Sequence, residues 1–289
     1  MICSICPRKC KIDRDINVGF CQSPSVFRVA RAALHYWEEP CISGENGSGT
    51  VFFSGCNLRC VYCQNYEISR ENKGMEISDE RLIEIFESLI EQGANNINLV
   101  NPTHYASRLA DVLTKWKSPV PIVYNSSGYE KAETLKALDG LVDIYLPDLK
   151  YIRADKALRY SAAGDYFERA SKAIMEMRRQ VRDRFDSDGM MQSGMIVRHL
   201  ILPQNTNSSI EILKWLKENL PDTYVSLMAQ YTPCGELDGT PELKRKITRR
   251  EYDKVADFAV ANGFEKLFLQ ELASADSNFI PKFDFTGIL

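Results

Sequence analysis

The chain has 289 residues and a net charge of −3, from 36 Lys and Arg against 39 Asp and Glu. A chain this long buries roughly three quarters of its unfolded surface, and its near-neutral charge gives no global electrostatic reason to bind nucleic acid or an anionic membrane. No apolar run approaches the roughly 18 residues of a membrane span, and 10% aromatic residues without a low-complexity tract exclude a disordered chain.

The first 24 residues carry Cys3, Cys6, Cys10 and Cys21 in a C-x2-C-x3-C-x10-C pattern. The start lacks the apolar core of a signal peptide, and the nine cysteines are an odd number. Both point to a reducing cytoplasm, where tight Cys spacing reads as metal binding rather than disulfides. The segment is too short for a core of its own, so a metal is expected to hold it. Four thiolates suit a closed zinc site or rubredoxin-like iron, or an auxiliary iron–sulfur cluster sheathed by Pro7, Ile12, Val18 and Phe20. Residues 25–49 bridge to the body and complete a Cys-rich N-terminal segment, 1–49. Within it Arg28, Arg31, His35, Tyr36 and Trp37 interleave basic and aromatic side chains, which reads as a strand or loop packed on the body.

From residue 50 the pattern repeats strand, loop, helix. Apolar runs predict strands at Thr50–Ser54, Ile97–Val100, Val120–Tyr124, Val142–Leu146, Met195–Leu202 and Tyr224–Ala229. Between them lie helical periods at Ser78–Gly93 and near 105–117, 130–138, 165–186 and 207–219. A last helix near 249–262 is followed by a short Leu267–Gln270 strand. Residues 185–193 read as a flexible insertion that could cover the site. Six βα units imply a parallel sheet, because a parallel crossover needs an intervening helix. Six falls short of a closed eightfold barrel, so the expected fold class is α/β, a partial (β/α)6 barrel over 50–235, with 236–289 packed on it as a C-terminal helix and extension.

The site of such a fold lies at the C-terminal strand ends. After the first strand come Cys56, Cys60 and Cys63, spaced C-x3-C-x2-C with Tyr62 before the last. Three thiolates on one loop suit a [4Fe–4S] cube whose fourth iron is open to a ligand. Zinc completed by His104 or Cys41 is the competing reading. The other strand ends supply Asn101, Thr103 and His104, then Asn125 and Ser126, then Asp148 and Lys150, then Arg198, and finally Cys234.

Here the sequence resembles the radical S-adenosylmethionine (SAM) superfamily, on the three-Cys loop with its aromatic residue directly after the first strand. A narrower resemblance, to an uncharacterised branch related to pyruvate formate-lyase activating enzyme, rests on Cys3–Cys21, Glu38-Glu39-Pro40, Gly47-Ser48-Gly49-Thr50, Phe53–Leu58, Cys63-Gln64-Asn65, Asn101–Tyr105, Tyr145–Lys150 and Gln230-Tyr231. The resemblance implies a [4Fe–4S] cluster at Cys56, Cys60 and Cys63, with SAM chelating its open iron. One-electron cleavage would then give a 5′-deoxyadenosyl radical that abstracts hydrogen from a protein, peptide or small molecule. A low-potential donor, flavodoxin or ferredoxin, is implied for such an oxidoreductase. Tyr62, Asn101, Thr103, Asn125, Ser126 and Asp148 would bind the cofactor, and Lys150, Arg198, His104 and Cys234 would serve the reaction. The chain departs from the superfamily in lacking Gly-Gly-Glu after the second strand, where Asn101-Pro102-Thr103-His104 stands. It also has Asn125-Ser126-Ser127-Gly128 in place of the activases' Asp-x-Asn-Gly turn. An iron–sulfur or zinc protein that transfers electrons without cleaving SAM is the alternative, and a zinc hydrolase built on His104 and Asp148 a third.

Overall fold

The structure, a computed structural model, describes residues 2–270, 272 and 281–289. Its strands are β1 (Phe27–His35), β2 (Ser48–Phe53), β3 (Met75–Ile77), β4 (Ile97–Val100), β5 (Ile122–Ser126), β6 (Ile144–Pro147), β7 (Arg184–Phe185), β8 (Met191–Leu200), β9 (Tyr224–Met228) and β10 (Leu267–Leu269). The helices are α1 (Pro40–Ser43), α2 (Tyr66–Ser69), α3 (Asp79–Glu91), α4 (Ala106–Lys115), α5 (Ala132–Leu135), α6 (Ala154–Ser161), α7 (Tyr166–Gln180), α8 (Thr206–Asn219) and α9 (Arg249–Ala261).

One sheet runs β10-β9-β8-β6-β5-β4-β2-β1-β3. From β10 to β2 every pairing is parallel, while β1 and β3 add an antiparallel edge. The six expected strands are all present, and β10 extends the parallel set. Both faces of the central strands are covered, so β2 and β6 are buried at every residue and read as unbroken apolar or small runs. Helices α3, α4, α8 and α9 form where the periodicity placed them. Ser78 caps α3 by accepting from the Arg81 N–H at 3.1 Å, and Leu82, Ile85, Phe86 and Leu89 bury one face. A reciprocal Thr248–Glu251 capping box starts α9.

The basic–aromatic stretch, expected as a strand or loop packed on the body, is a strand over Arg28–His35, part of β1 between β2 and β3, with Phe27 and Val29 in the core. The structure departs from the sequence-based expectation in two places. The helix expected over 165–186 stops at Gln180, and a separate helix, α6, precedes it. The supposed insertion 185–193 is a tight β7–β8 hairpin, turned by Asp186 accepting from the Asp188 and Met190 N–H groups at 2.9 Å each. It lies at the start of β8, the far end from Arg198, and therefore does not cover the strand C-termini. Among the described residues no helix is long and apolar enough to cross a membrane.

Candidate active site

The C-terminal ends of the parallel strands enclose a cavity of about 230 Å³. Cys56, Cys60, Tyr62 and Cys63 form one wall, on the loop that leaves β2. Gly55 begins that loop at φ +86°. The N–H groups of Leu58 and Arg59 then turn toward the Cys56 sulfur at 3.4 and 3.5 Å, and the Ser161 hydroxyl donates to Cys60 Sγ at 2.9 Å. Burial, then the neighbouring Cys60 and Cys63, pushes the Cys56 thiol up to about 12, and burial with Cys60 pushes Cys63 up to about 11. Two buried sulfurs and a half-buried third, with N–H and O–H donors already aimed at two of them, fit thiolate ligands of an iron–sulfur cluster, whose cationic irons would offset the charge. The same three residues line the cavity, so a cluster held there would face whatever enters.

The rest of the lining carries charge. Arg198, near the end of β8, donates to Glu38 Oε2 at 3.0 Å, Asp148 Oδ1 at 3.2 Å and Asn125 Oδ1 at 2.5 Å. Lys150 meets the other Asp148 oxygen at 2.5 Å. Glu38 Oε1 accepts from the amides of Asn98 and Asn125 at 3.2 and 3.3 Å. Burial pulls the Asp148 carboxyl up, but Lys150 and Arg198 outweigh it and hold the group below its ordinary value. Burial also works against the Arg198 charge, yet Asp148, Glu38 and Glu39 raise its pKa further. Adjacent Glu39 is fully buried and shifted up, chiefly by burial. Three of the five guanidinium donors and one of the three ammonium donors are thus committed to fixing the wall.

Tyr62, Asn101, Asn125, Ser126, Asp148, Lys150 and Arg198 all border the cavity with the three cysteines. Thr103, His104 and Cys234 do not, which corrects the expectation for each. Asn101 takes a left-handed φ of +60°, so the chain turns away and Thr103–Tyr105 becomes a buried 3-10 turn. Thr103 donates to buried Glu130 at 2.5 Å. Burial lifts the Glu130 carboxyl to about 7, against hydrogen bonds from Thr103, Ser126 and Tyr124 that pull it down. His104 Nε2 lies 2.8 Å from the Ser54 carbonyl and must carry the proton, which leaves buried Nδ1 without a partner. The ring therefore ties β2 to the β4 turn and is no proton donor to a substrate. Cys234 Sγ donates to the Tyr62 carbonyl at 3.2 Å from outside the cavity, clamping the back of the cysteine loop.

His35, at the end of β1, and Trp37 and Glu38, just after it, border the cavity and were not expected as site residues. The Glu38-Glu39-Pro40 tripeptide was visible in the sequence, but its partner Arg198 is 160 positions away.

The N-terminal cysteines fold against the same loop. Cys3 exchanges backbone hydrogen bonds with Lys11 and Ile12, and Phe20 N–H points at Cys10 Sγ from 3.4 Å. Burial above all pushes the Cys6 thiol up to about 12; the Arg8 N–H opposes this, and Cys21 and Cys3 add to it. Arg8 donates to the carbonyls of Asn57, Ala162 and Ser161 at 2.8, 2.5 and 3.0 Å, with its guanidinium over the Phe20 ring. Arg14 likewise donates to the carbonyls of Ser23, Pro24 and His104. Cys41 is apart from this group, packed beside Ile42 and Ile144. Among the described residues no three Cys, His, Asp or Glu side chains already close on one point as ligands of a single ion.

All three histidines are held neutral. Burial, with Arg31 adding, lowers His35 to about 4; burial with Arg14 lowers His104 to about 3; and burial lowers His199 to about 4. His199 donates Nδ1–H to the Leu149 carbonyl and accepts from Ser209 at Nε2. Their folded pKa values lie below the unfolded value of about 6.5, so their contribution to stability is whole above about pH 6.5 and is lost as pH falls toward 4. NMR of the folded chain is expected to show no histidine ring titrating between pH 7 and 5.5. A midpoint near 6.5 for any of them would mean that its ring is open to water.

Residues 50–216 match the family described as the Radical SAM superfamily. The protein called "Uncharacterized protein MJ0674", from Methanocaldococcus jannaschii, is 27% identical over 267 residues, covering 89% of this chain and 74% of its own. Among solved structures, methylornithine synthase (PylB) superposes with a TM-score of 0.50 at 15% identity, over 74% of this chain and 68% of that one. The FeFe-hydrogenase maturase HydG from Carboxydothermus hydrogenoformans gives 0.50 at 16%, over 78% and 54%. At such identities these two structures share the fold.

Proposed function

The chain belongs to the radical SAM superfamily, and from that premise we propose that it is an oxidoreductase that reductively cleaves SAM at a [4Fe–4S] cluster held by Cys56, Cys60 and Cys63. The observation that carries this reading is one cavity lined both by the thiols of Cys56, Cys60 and Cys63 and by the Asp148–Lys150–Arg198–Glu38 array. When bound, cluster and SAM supply one-electron cleavage and hydrogen abstraction by the 5′-deoxyadenosyl fragment. The chain's own part is to bind, orient and exclude water. The donors of Lys150 and Arg198 left over from Asp148, Glu38 and Asn125 suit the carboxylate of SAM or of a substrate. Asn101, Asn125 and Ser126 offer amide and hydroxyl groups in place of the missing Gly-Gly-Glu. The substrate is a protein, peptide or small molecule, as for an activating-enzyme-like protein of the cytoplasm, and a flavodoxin or ferredoxin delivers the electron. Cys3, Cys6, Cys10 and Cys21 hold a second metal site, zinc, a single iron or an auxiliary iron–sulfur cluster.

The test is anaerobic reconstitution with iron and sulfide, then dithionite and SAM, with 5′-deoxyadenosine and methionine quantified. Both products are expected from the native sequence and neither from Cys60→Ala. One observation favours the second reading, electron transfer without SAM cleavage: Thr103 and His104 turn away from the cavity, leaving Asn101 as the residue of that turn that borders it. A fully loaded cluster that yields no 5′-deoxyadenosine would establish that reading instead.

A further inference from the structure

A chain of buried hydroxyls ends on one of the cluster cysteines. Tyr62 Oη lies 2.6 Å from Tyr151 Oη, Tyr151 Oη lies 2.8 Å from Ser161 Oγ, and Ser161 Oγ lies 2.9 Å from Cys60 Sγ. Tyr62, Tyr151, Ser161 and Cys60 are each at most 7% exposed. Three hydroxyl protons serve three hydrogen bonds, and a metal-bound thiolate only accepts. The proton order is therefore fixed: Ser161 donates to Cys60, Tyr151 to Ser161, and Tyr62 to Tyr151.

The backbone holds this order in place. Ser161 closes α6, followed by Ala162 in the left-handed region at φ 49°, and the carbonyls of both accept from Arg8. Tyr62 is set on the cysteine loop itself, its ring edge-on to Tyr160 and Tyr231 at 6.2 and 5.9 Å.

Resting on the cluster assignment proposed above, we infer that Ser161, Tyr151 and Tyr62 form an oriented hydroxyl relay that sets the reduction potential of the cluster through Cys60. Reduction adds one electron, supplied from outside, to the cluster and its thiolates. An O–H dipole with its positive end at Cys60 Sγ stabilises that added charge and raises the midpoint potential. Each hydroxyl further along polarises the next, so the effect diminishes with distance from sulfur. The three are positioning residues and take no part in bond making.

The experiment is a redox titration of the reconstituted full chain with dithionite and mediators, following the EPR signal of the reduced cluster. Ser161→Ala is expected to shift the midpoint to lower potential, Tyr151→Phe by less, and Tyr62→Phe by least, at equal iron and sulfide content. A Ser161→Ala midpoint equal to that of the native sequence overturns the relay. Should Ser161→Ala fail to fold or load, Tyr151→Phe decides, since it removes one hydroxyl and keeps the ring: a lowered midpoint supports the relay and an unchanged one overturns it. Absence of a cluster from the native chain would overturn the assignment proposed above and the relay with it. A loaded native chain whose variants share its midpoint overturns the relay alone.

Discussion

Arg198→Met is expected to destabilise the metal-free chain by about 3–5 kcal/mol, the cost of removing one partner from a buried ionic group. Arg198 is shared between Glu38 and Asp148, whose side chains are 11% and 13% exposed, and Glu39 lies close enough to act on its charge. Without the guanidinium two largely buried carboxylates lose their shared partner, with Lys150 as counter-charge to Asp148 alone. Lys150→Met is expected to cost less, since Asp148 then keeps Arg198. Adding Glu38→Gln and Asp148→Asn to Arg198→Met is expected to restore part of the loss, because the uncompensated charges go with it. Urea denaturation under anaerobic conditions compares the three variants with the native sequence. A loss below about 1 kcal/mol for Arg198→Met would place the array in the range of solvent-screened surface pairs. The wall would then be wet and mobile, and unsuited to orienting a ligand.

The same array shows how far a sequence carries. Strands β4 and β6 were legible because a parallel strand covered on both faces is a continuous apolar run. The residues that follow such a strand sit at the rim of the fold, which was enough to bring Asn101, Asn125, Asp148 and Arg198 to one cavity. Rim position does not say where a side chain points. The left-handed backbone at Asn101 turns Thr103 and His104 into the core, and no pattern of residue types announced it. Cys234 follows β9 as expected, but its loop passes behind the cysteine loop, with the Glu236 N–H bonded to the Val61 carbonyl. Glu38 and Ser161 lacked a local signal for another reason: their partners Arg198 and Cys60 are 160 and 101 positions away. The β1 stretch read only as a strand or loop because Arg28 and Arg31, three residues apart across a bulge, break the two-residue alternation, their heads paired to Glu76 and Asp284.

Gly55→Ala is expected to couple losses at both cysteine groups. Gly55 stands between the end of β2 and the first cluster cysteine at φ +86°, where an L side chain costs about 1–2 kcal/mol. A Cβ there would lie 1.8 Å from Ser23 Oγ and 2.5 Å from the Cys21 carbonyl oxygen. The serine hydroxyl could rotate, but the carbonyl belongs to the backbone and would have to shift, for a further cost of about 1–3 kcal/mol by the measure of an overpacked core. That carbonyl also accepts from Cys56 N–H at 3.3 Å, and the Gly55 carbonyl accepts from Asn101. Displacing it moves a cysteine of the N-terminal group away from a cysteine of the cavity. The expected result is a stability loss of about 3 kcal/mol, with iron at the cavity and the metal proposed for the N-terminal cysteines falling together in element analysis. Retention of both metals with only the smaller backbone strain would show two sites that fold independently. Joint loss would mean that the N-terminal group is a buttress of the cysteine loop, built to hold Cys56 in place from behind.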